Sequence, residues 1–258
     1  MFYIIAGDFF MIKHIRGRAI GNALLSVLVI FAACGVAYIS AGEANKIDTS
    51  GEVSDSLGAF DLPVIVIDPG HGGADCGAVG VNGTLEKDIN LRLSLYLARE
   101  FENAGYIVKL TRTEDIMLVD AKTTHTTKKS SDLTARTQIA AEGEIFISIH
   151  MNKFPQEKYS GAQIYYSEND PRSARLAEML QQGIKSSLQP DNNREVKSGA
   201  GLYLLDRIKS PAVIAECGFI SNPNEADRLN DDEYLKQMAF EIFSAADDFV
   251  IECMDNDT

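Results

Sequence analysis

Three short apolar runs in this chain each end on a residue that can do chemistry. Val64–Gly80 (VIVIDPGHGGADCGAVG) opens with Val64 to Ile67, the pattern of a strand covered on both faces. Asp68-Pro69-Gly70 ends the run, because proline lacks an N–H for the ladder and glycine admits turns closed to other residues. His71 follows at once, and Gly72, Gly73, Gly77 and Gly80 keep the surrounding loop free of bulk. Glu144–Ile149 (EIFISI) is a second run, stopping at His150-Met151-Asn152. Pro211–Ala215 (PAVIA) is a third, ending at Glu216-Cys217-Gly218. In α/β folds the carboxyl ends of such strands face the ligand crevice.

Helical periodicity fills the intervals. Leu85, Ile89, Leu93, Leu97 and Phe101 recur every four residues, with Thr84 as the expected N-cap, which puts Glu86 in the first turn near the same rim. Tyr106–Thr111 and Gly161–Tyr166 read as further strands, and Asp132–Ala141, Arg172–Leu188 and Asp231–Ile251 as helices. Strands alternating with helices imply a single α/β domain of three layers, a mostly parallel twisted sheet flanked by helices. The expected organisation is an N-terminal segment at 1–42, a small polar linker at 43–61, the catalytic domain at 62–252 and a tail at 253–258.

A buried strand has little reason to carry a carboxylate unless that group has a partner or a task. Two neutral imidazoles and one carboxylate make a three-ligand zinc set with a position left for water. A second carboxylate, not bound to metal, can move protons between that water and a leaving amine. His71, Glu86 and His150 are therefore the expected ligands of one zinc ion per chain, and Glu216 the expected catalytic carboxylate. Separations of 15, 64 and 66 residues carry no local HExxH-type signature, so the spacing leaves open histidines that only satisfy turns.

DPGHGGADCGAVG, then GTLEKDINL, SIHMN and AECGFISN, resembles in order the zinc-dependent N-acetylmuramoyl-L-alanine amidases of bacterial cell-wall metabolism. The resemblance spans roughly residues 62–249 and implies the same roles for His71, Glu86, His150 and Glu216. The implied substrate is peptidoglycan, cut at the amide between the lactyl group of N-acetylmuramic acid and L-alanine. SIHMNKFPQEKYSGAQIYYS, KKSSDLTART and NNREVK narrow the likeness to the amidases of spore cortex, whose action permits muramic lactam formation. That implies a sporulating bacterium and a location between forespore and mother cell. Two other readings stay open: a partner-dependent wall-binding or scaffold protein of the same fold, and a zinc peptidase acting within the stem peptide. Some wall amidases plug the zinc site with a helix inserted after the strand matching Gly161–Tyr166. Only Ser167–Arg172 follows here, so no plug is expected, and control falls to expression, zinc loading or an activating partner.

Lys13, Arg16 and Arg18 precede the nearly all-apolar Ala19–Ala41, which orients the N-terminus inward and suits a membrane anchor of the usual ~20 residues. Ser40-Ala41-Gly42 also offers a cleavage site for a secreted form, and Ala32-Ala33-Cys34 resembles the end of a lipoprotein box, though Phe31 is atypical there. Met11 can serve as the start, since MIKHIRGR begins a conventional basic segment. The net charge of −13 argues against nucleic acid or anionic lipid as ligands. Peptidoglycan is anionic too, so any grip on it must be local.

Smaller expectations complete the reading. Cys34, Cys76, Cys217 and Cys253 form no CxxC pair, and free buried thiols are expected over a disulfide or extra ligands. Of Asp68 and Asp75, Asp68 is the preferred partner for the second nitrogen of a ligand imidazole. Asn152 is expected either to contact substrate or to end its strand. Arg136 is expected to pin a loop carboxylate, with a substrate role as the alternative, and Ser148 to hydrogen-bond inside the core. His14 and His125, the latter in a THTTKK loop, receive no role.

Overall fold

The structure is a computed structural model that describes residues 62–118 and 125–256. The expected anchor and linker lie outside the described residues. Six strands, β1 (Ile65–Pro69), β2 (Val108–Leu110), β3 (Ile145–Asn152), β4 (Gln163–Tyr166), β5 (Lys197–Ser198) and β6 (Ala212–Phe219), form one sheet in the order β2-β1-β3-β6-β4-β5. β2, β1, β3 and β6 are parallel, while β4 runs antiparallel to β6 and parallel to β5. The helices are α1 (Glu86–Asn103), α2 (His125–Ala140), α3 (Arg172–Ser187), α4 (Pro223–Arg228) and α5 (Asp232–Asn256). The mostly parallel α/β architecture is as expected.

Strand alternation decides which layer each side chain joins. Ile65 and Ile67, then Ile145, Ile147, Ile149 and Met151, then Val213, Ala215 and Cys217 share the large core with α1, α3 and α5. Leu93, Leu97, Leu180 and Ile184 are fully buried there, each contributing about 1.5–3 kcal/mol from lost apolar surface. The opposite face changes character along its length. Val66, Phe146 and Ala212 pack with Ala140 of α2 and with Leu204, Leu205 and Ile208. One pleat further, Asp68 lies beside Ser148, and at the rim His150 lies beside Glu216, which lies opposite Gln163. The same face thus runs from apolar floor to polar layer to reactive rim.

Several boundaries differ from the sequence reading. β3 and β6 continue through His150 and Glu216 instead of stopping before them. β1 reaches Pro69, and Gly70 N–H takes over the ladder by donating to Ile149 O at 3.0 Å. Thr84 is not the cap of α1. Leu85 occupies that position, and the first helical N–H groups, of Glu86 and Lys87, donate to Ala78 O and Cys76 O, satisfying donors a helix start leaves open. The Thr84 hydroxyl instead accepts from the Asn230 side chain. α2 begins at His125, inside the expected loop; residues 127–131 are largely exposed, so the sequence shows no apolar stripe there to mark the helix. α5 extends to Asn256, into the expected tail, since Cys253 and Met254 still pack on the core. Among the described residues, no helix is long and apolar enough to cross a membrane.

Candidate metal centre and active site

The loop after β1 is held from below by two buried guanidinium groups. Arg136, only 2% exposed, donates to Asp68 Oδ1 at 2.5 Å, to Pro69 O at 2.8 Å and to His71 O at 2.7 Å. Asp132, one turn earlier on α2, holds Arg136 Nε at 2.7 Å. Arg112 donates to Pro69 O at 2.9 Å, to Gly70 O at 3.0 Å and to Lys87 O at 2.8 Å. Asn90 of α1 adds a hydrogen bond to Gly70 O at 3.1 Å. This clamp fixes His71 at φ 62°, the left-handed region, where it is the one non-glycine so placed among the described residues. Such a conformation costs on the order of 1–3 kcal/mol and persists only where the surroundings enforce it.

Asp68 is fully buried and takes Ser148 Oγ at 2.6 Å, Thr111 Oγ1 at 2.6 Å and Arg136. Burial alone would raise its pKa, but Arg136 and the two hydroxyls outweigh that and lower it. Asp68 therefore forms part of the clamp and does not brace an imidazole, contrary to expectation. Asp75 does so, with Oδ2 3.0 Å from His71 Nδ1. The reversal follows from reach: a β1 side chain points into the sheet face, whereas Asp75 lies on the loop that curls back beneath His71. Arg136 has the expected structural role, and Ser148 makes the expected core hydrogen bond.

With Nδ1 of His71 engaged by Asp75, Nε2 carries the free lone pair. Glu86 Oε1 stands 3.2 Å from that nitrogen and 2.9 Å from His150 Nδ1. The donor atoms of His71, Glu86 and His150 lie within 4.8 Å of one another, and this trio could hold a metal ion. Two imidazole nitrogens and a carboxylate oxygen are the donor types zinc prefers. Glu86 is itself oriented by Ala78 N–H at 2.8 Å and Met151 N–H at 3.2 Å. Its pKa is well below the usual range, because the two imidazoles outweigh the opposing effect of burial. His71 shifts upward, since Glu86 and Asp75 outweigh burial. Two glycines make room: a Cβ at Gly70 would sit 2.3 Å from the His150 ring, and one at Gly77 2.6 Å from Glu86 Oε2.

Glu216 differs from Glu86 in every respect. Its Oε2 is buried without a hydrogen-bond partner. Burial, assisted by the charge of Glu86 and opposed by His150 and His71, pushes its pKa up to about 7. A carboxyl poised near neutrality beside a metal trio can both take and give a proton. Asn152 is half-buried where β3 meets an irregularity in its pairing with β6, and its carbonyl accepts from Ile220 N–H at 2.9 Å. Cys76 and Cys217 are free, neither belongs to the trio, and Cys217 is buried in the main core. A cavity of about 610 Å³ between α3 and α5, lined also by Arg194, Glu195 and Val196, contains none of His71, Glu86, His150 and Glu216.

Two carboxylates of opposite character beside two imidazoles, at the rim of a mostly parallel sheet, are an arrangement suited to hydrolysis. The chain belongs to the N-acetylmuramoyl-L-alanine amidase family, whose model matches residues 65–248. It is similar to the germination-specific N-acetylmuramoyl-L-alanine amidase of Bacillus subtilis (strain 168), at 34% identity over 197 residues, 74% of this chain and 82% of that one. Its fold matches the CwlD amidase from Clostridioides difficile, solved in complex with the GerS lipoprotein, with TM-score 0.70, 37% identity and coverage of 72% of this chain and 98% of that one. An N-acetylmuramoyl-L-alanine amidase from Clostridium difficile 630 matches with TM-score 0.63, 26% identity, and coverage of 72% and 95%. The expected family, fold and enzyme class are borne out: this is a peptidoglycan amidase.

Two outcomes check the electrostatics. Arg136→Met leaves Asp68 buried and unpaired, so urea unfolding should show a loss of about 3–5 kcal/mol; a loss below about 1 kcal/mol would contradict the clamp. A carboxyl whose pKa is raised on folding supports the fold at low pH, and that support is lost as pH rises through the folded value, about 7 for Glu216. Metal-free Glu216→Gln should therefore gain on wild type between pH 5 and pH 8, on the order of 1–2 kcal/mol. An unchanged difference between those pH values would place Glu216 in water.

Proposed function

We propose that the chain hydrolyses the amide between the lactyl group of N-acetylmuramic acid and L-alanine with zinc held by His71, Glu86 and His150, and that it does so in spore cortex. The observation that carries the chemistry is the buried, unpartnered Glu216 Oε2 next to three convergent ligand atoms. Bound at these residues, zinc would polarise the amide carbonyl and lower the pKa of water toward neutrality. Glu216 takes the proton from the attacking water, whose oxygen bonds to the lactyl carbonyl carbon. It then returns the proton to the departing nitrogen, so the products are a free lactyl carboxyl and a stem peptide with an intact L-alanine amine. Asp75 keeps His71 in the tautomer that offers Nε2, while the Arg136–Arg112 clamp keeps the imidazole in place. Asn152, at the end of β3, is assigned a contact with substrate.

The cortex assignment draws on the germination-specific relative and on the likeness to CwlD. Freed lactyl carboxyls are what muramic lactam formation requires. An enzyme whose substrate is peptidoglycan acts outside the cytoplasm, and the location that belongs to this reading is the space between forespore and mother cell, with the apolar segment 19–41 either kept as an anchor or removed. Because CwlD was solved with a lipoprotein, activation by a partner of that kind is part of the proposal.

Mass spectrometry of purified peptidoglycan digested by the zinc-loaded protein tests this reading. Wild type should release stem peptides beginning at L-alanine. Glu216→Ala should keep its zinc and lose at least ~100-fold in rate, while His71→Ala should lose the metal. Shortened peptides with residues still attached to the sugar would mark a peptidase instead. Release only after a lipoprotein is added would establish partner dependence.

A further inference from the structure

We propose that Arg194 binds a carboxylate of the departing stem peptide, on the side of Glu216 remote from the metal ligands. This rests on the amidase reading and adds how the peptide is recognised. The starting point is a bulge. His150 pairs with Glu216 and Asn152 with Phe219, so two steps along β3 match three along β6. The extra residue turns Phe219 away from the core that Cys217 joins and onto the face that carries His150 and Glu216, a way bulges re-aim side chains. Gln163 of β4 lies opposite Glu216 and so shares that face.

Arg194 joins these two residues. Its guanidinium stacks over the Phe219 ring at 4.4 Å, donates through Nη1 to Gln163 Oε1 at 3.3 Å and through Nε to Ser160 O at 2.8 Å. It is half-buried, and among the described residues no carboxylate forms an ion pair with it. Glu225 feels its charge, yet that carboxylate is taken by Gly161 N–H, Phe219 N–H and Arg228. Arg194 is thus a held guanidinium fork with an end left over, the geometry that receives a carboxylate on two parallel bonds.

Its place fits one part of the substrate. Across the sheet the order is metal ligand His150 on β3, Glu216 on β6, then Gln163 and Arg194 at β4. Along the substrate the order is lactyl carbonyl, departing nitrogen, peptide. Glu216 must reach the nitrogen to return its proton, so the peptide beyond it lies over β4. The stem peptide is anionic and the chain carries −13, so general attraction is absent and a local cation must supply the hold. Lys158, 5.5 Å above the Tyr159 ring on the neighbouring loop, adds positive charge to the same wall.

The test uses uncross-linked glycan strands whose stem-peptide glutamate, next to L-alanine, carries either a free α-carboxylate or its amide. Zinc-loaded wild type should show a KM about tenfold lower for the free acid. Arg194→Gln should raise KM for the free acid to that of the amide, leaving kcat and the amide's KM unchanged, and Arg194→Lys should recover part of the preference. Equal changes on both substrates, or none, would overturn the assignment and leave Arg194 a structural brace. Binding of the same strands to Glu216→Gln protein, with and without Arg194→Gln, reads the preference without turnover. Wild type that cleaves neither substrate, with or without a lipoprotein partner, would refute the amidase reading, and the binding preference would then decide the role of Arg194.

Discussion

The buried pairing of Arg136 with Asp68, backed by Arg112, is the contact on which the rest of the site depends. It gathers the carbonyls of Pro69, Gly70 and His71 under two buried guanidinium groups. Burying charges this deeply costs several kcal/mol and gives little net stability even when the pairing is good. What the clamp provides is position: a histidine kept in a left-handed conformation with its ring directed toward Glu86 and His150. Ser148 and Thr111 complete the satisfaction of Asp68, so the polar layer beneath the rim has few open groups.

Above that layer, environment assigns two identical carboxyl groups to different tasks. Glu86 is surrounded by imidazoles and backbone N–H groups, which stabilise its charge and suit it to hold a cation. Glu216, on β6 beside His150 of β3, has one oxygen buried and unpartnered, which favours the proton and suits it to transfer one. Separating the pKa values of neighbouring acids in this way is how one site obtains both an anionic ligand and a proton carrier near neutral pH.

Much of this was legible in the sequence, for a reason particular to His71, His150 and Glu216. Each interrupts or closes an apolar β-run, where a polar side chain is costly without a task, and Glu86 opens a helix with a clear four-residue stripe. The supporting residues gave no such signal. Arg112 and Asn90 act through backbone carbonyls, which any sequence supplies, and Asp75 outcompetes Asp68 only through the path of a glycine-rich loop. The three-against-two step that turns Phe219 to the site face, and with it the seat of Arg194, depends on register between β3 and β6, which no local pattern encodes. The start of α2 was hidden similarly, since the largely exposed stretch 127–131 lacks apolar periodicity.

The central claim is that His71, Glu86 and His150 form the metal centre while the nearby thiols stay outside it. X-ray absorption at the zinc edge of the loaded protein tests this directly. The account predicts only nitrogen and oxygen neighbours, with the multiple-scattering signature of two imidazoles, and loss of the bound zinc in His150→Ala. A sulfur neighbour from Cys76 or Cys217, or an unchanged imidazole signature in that variant, would contradict it.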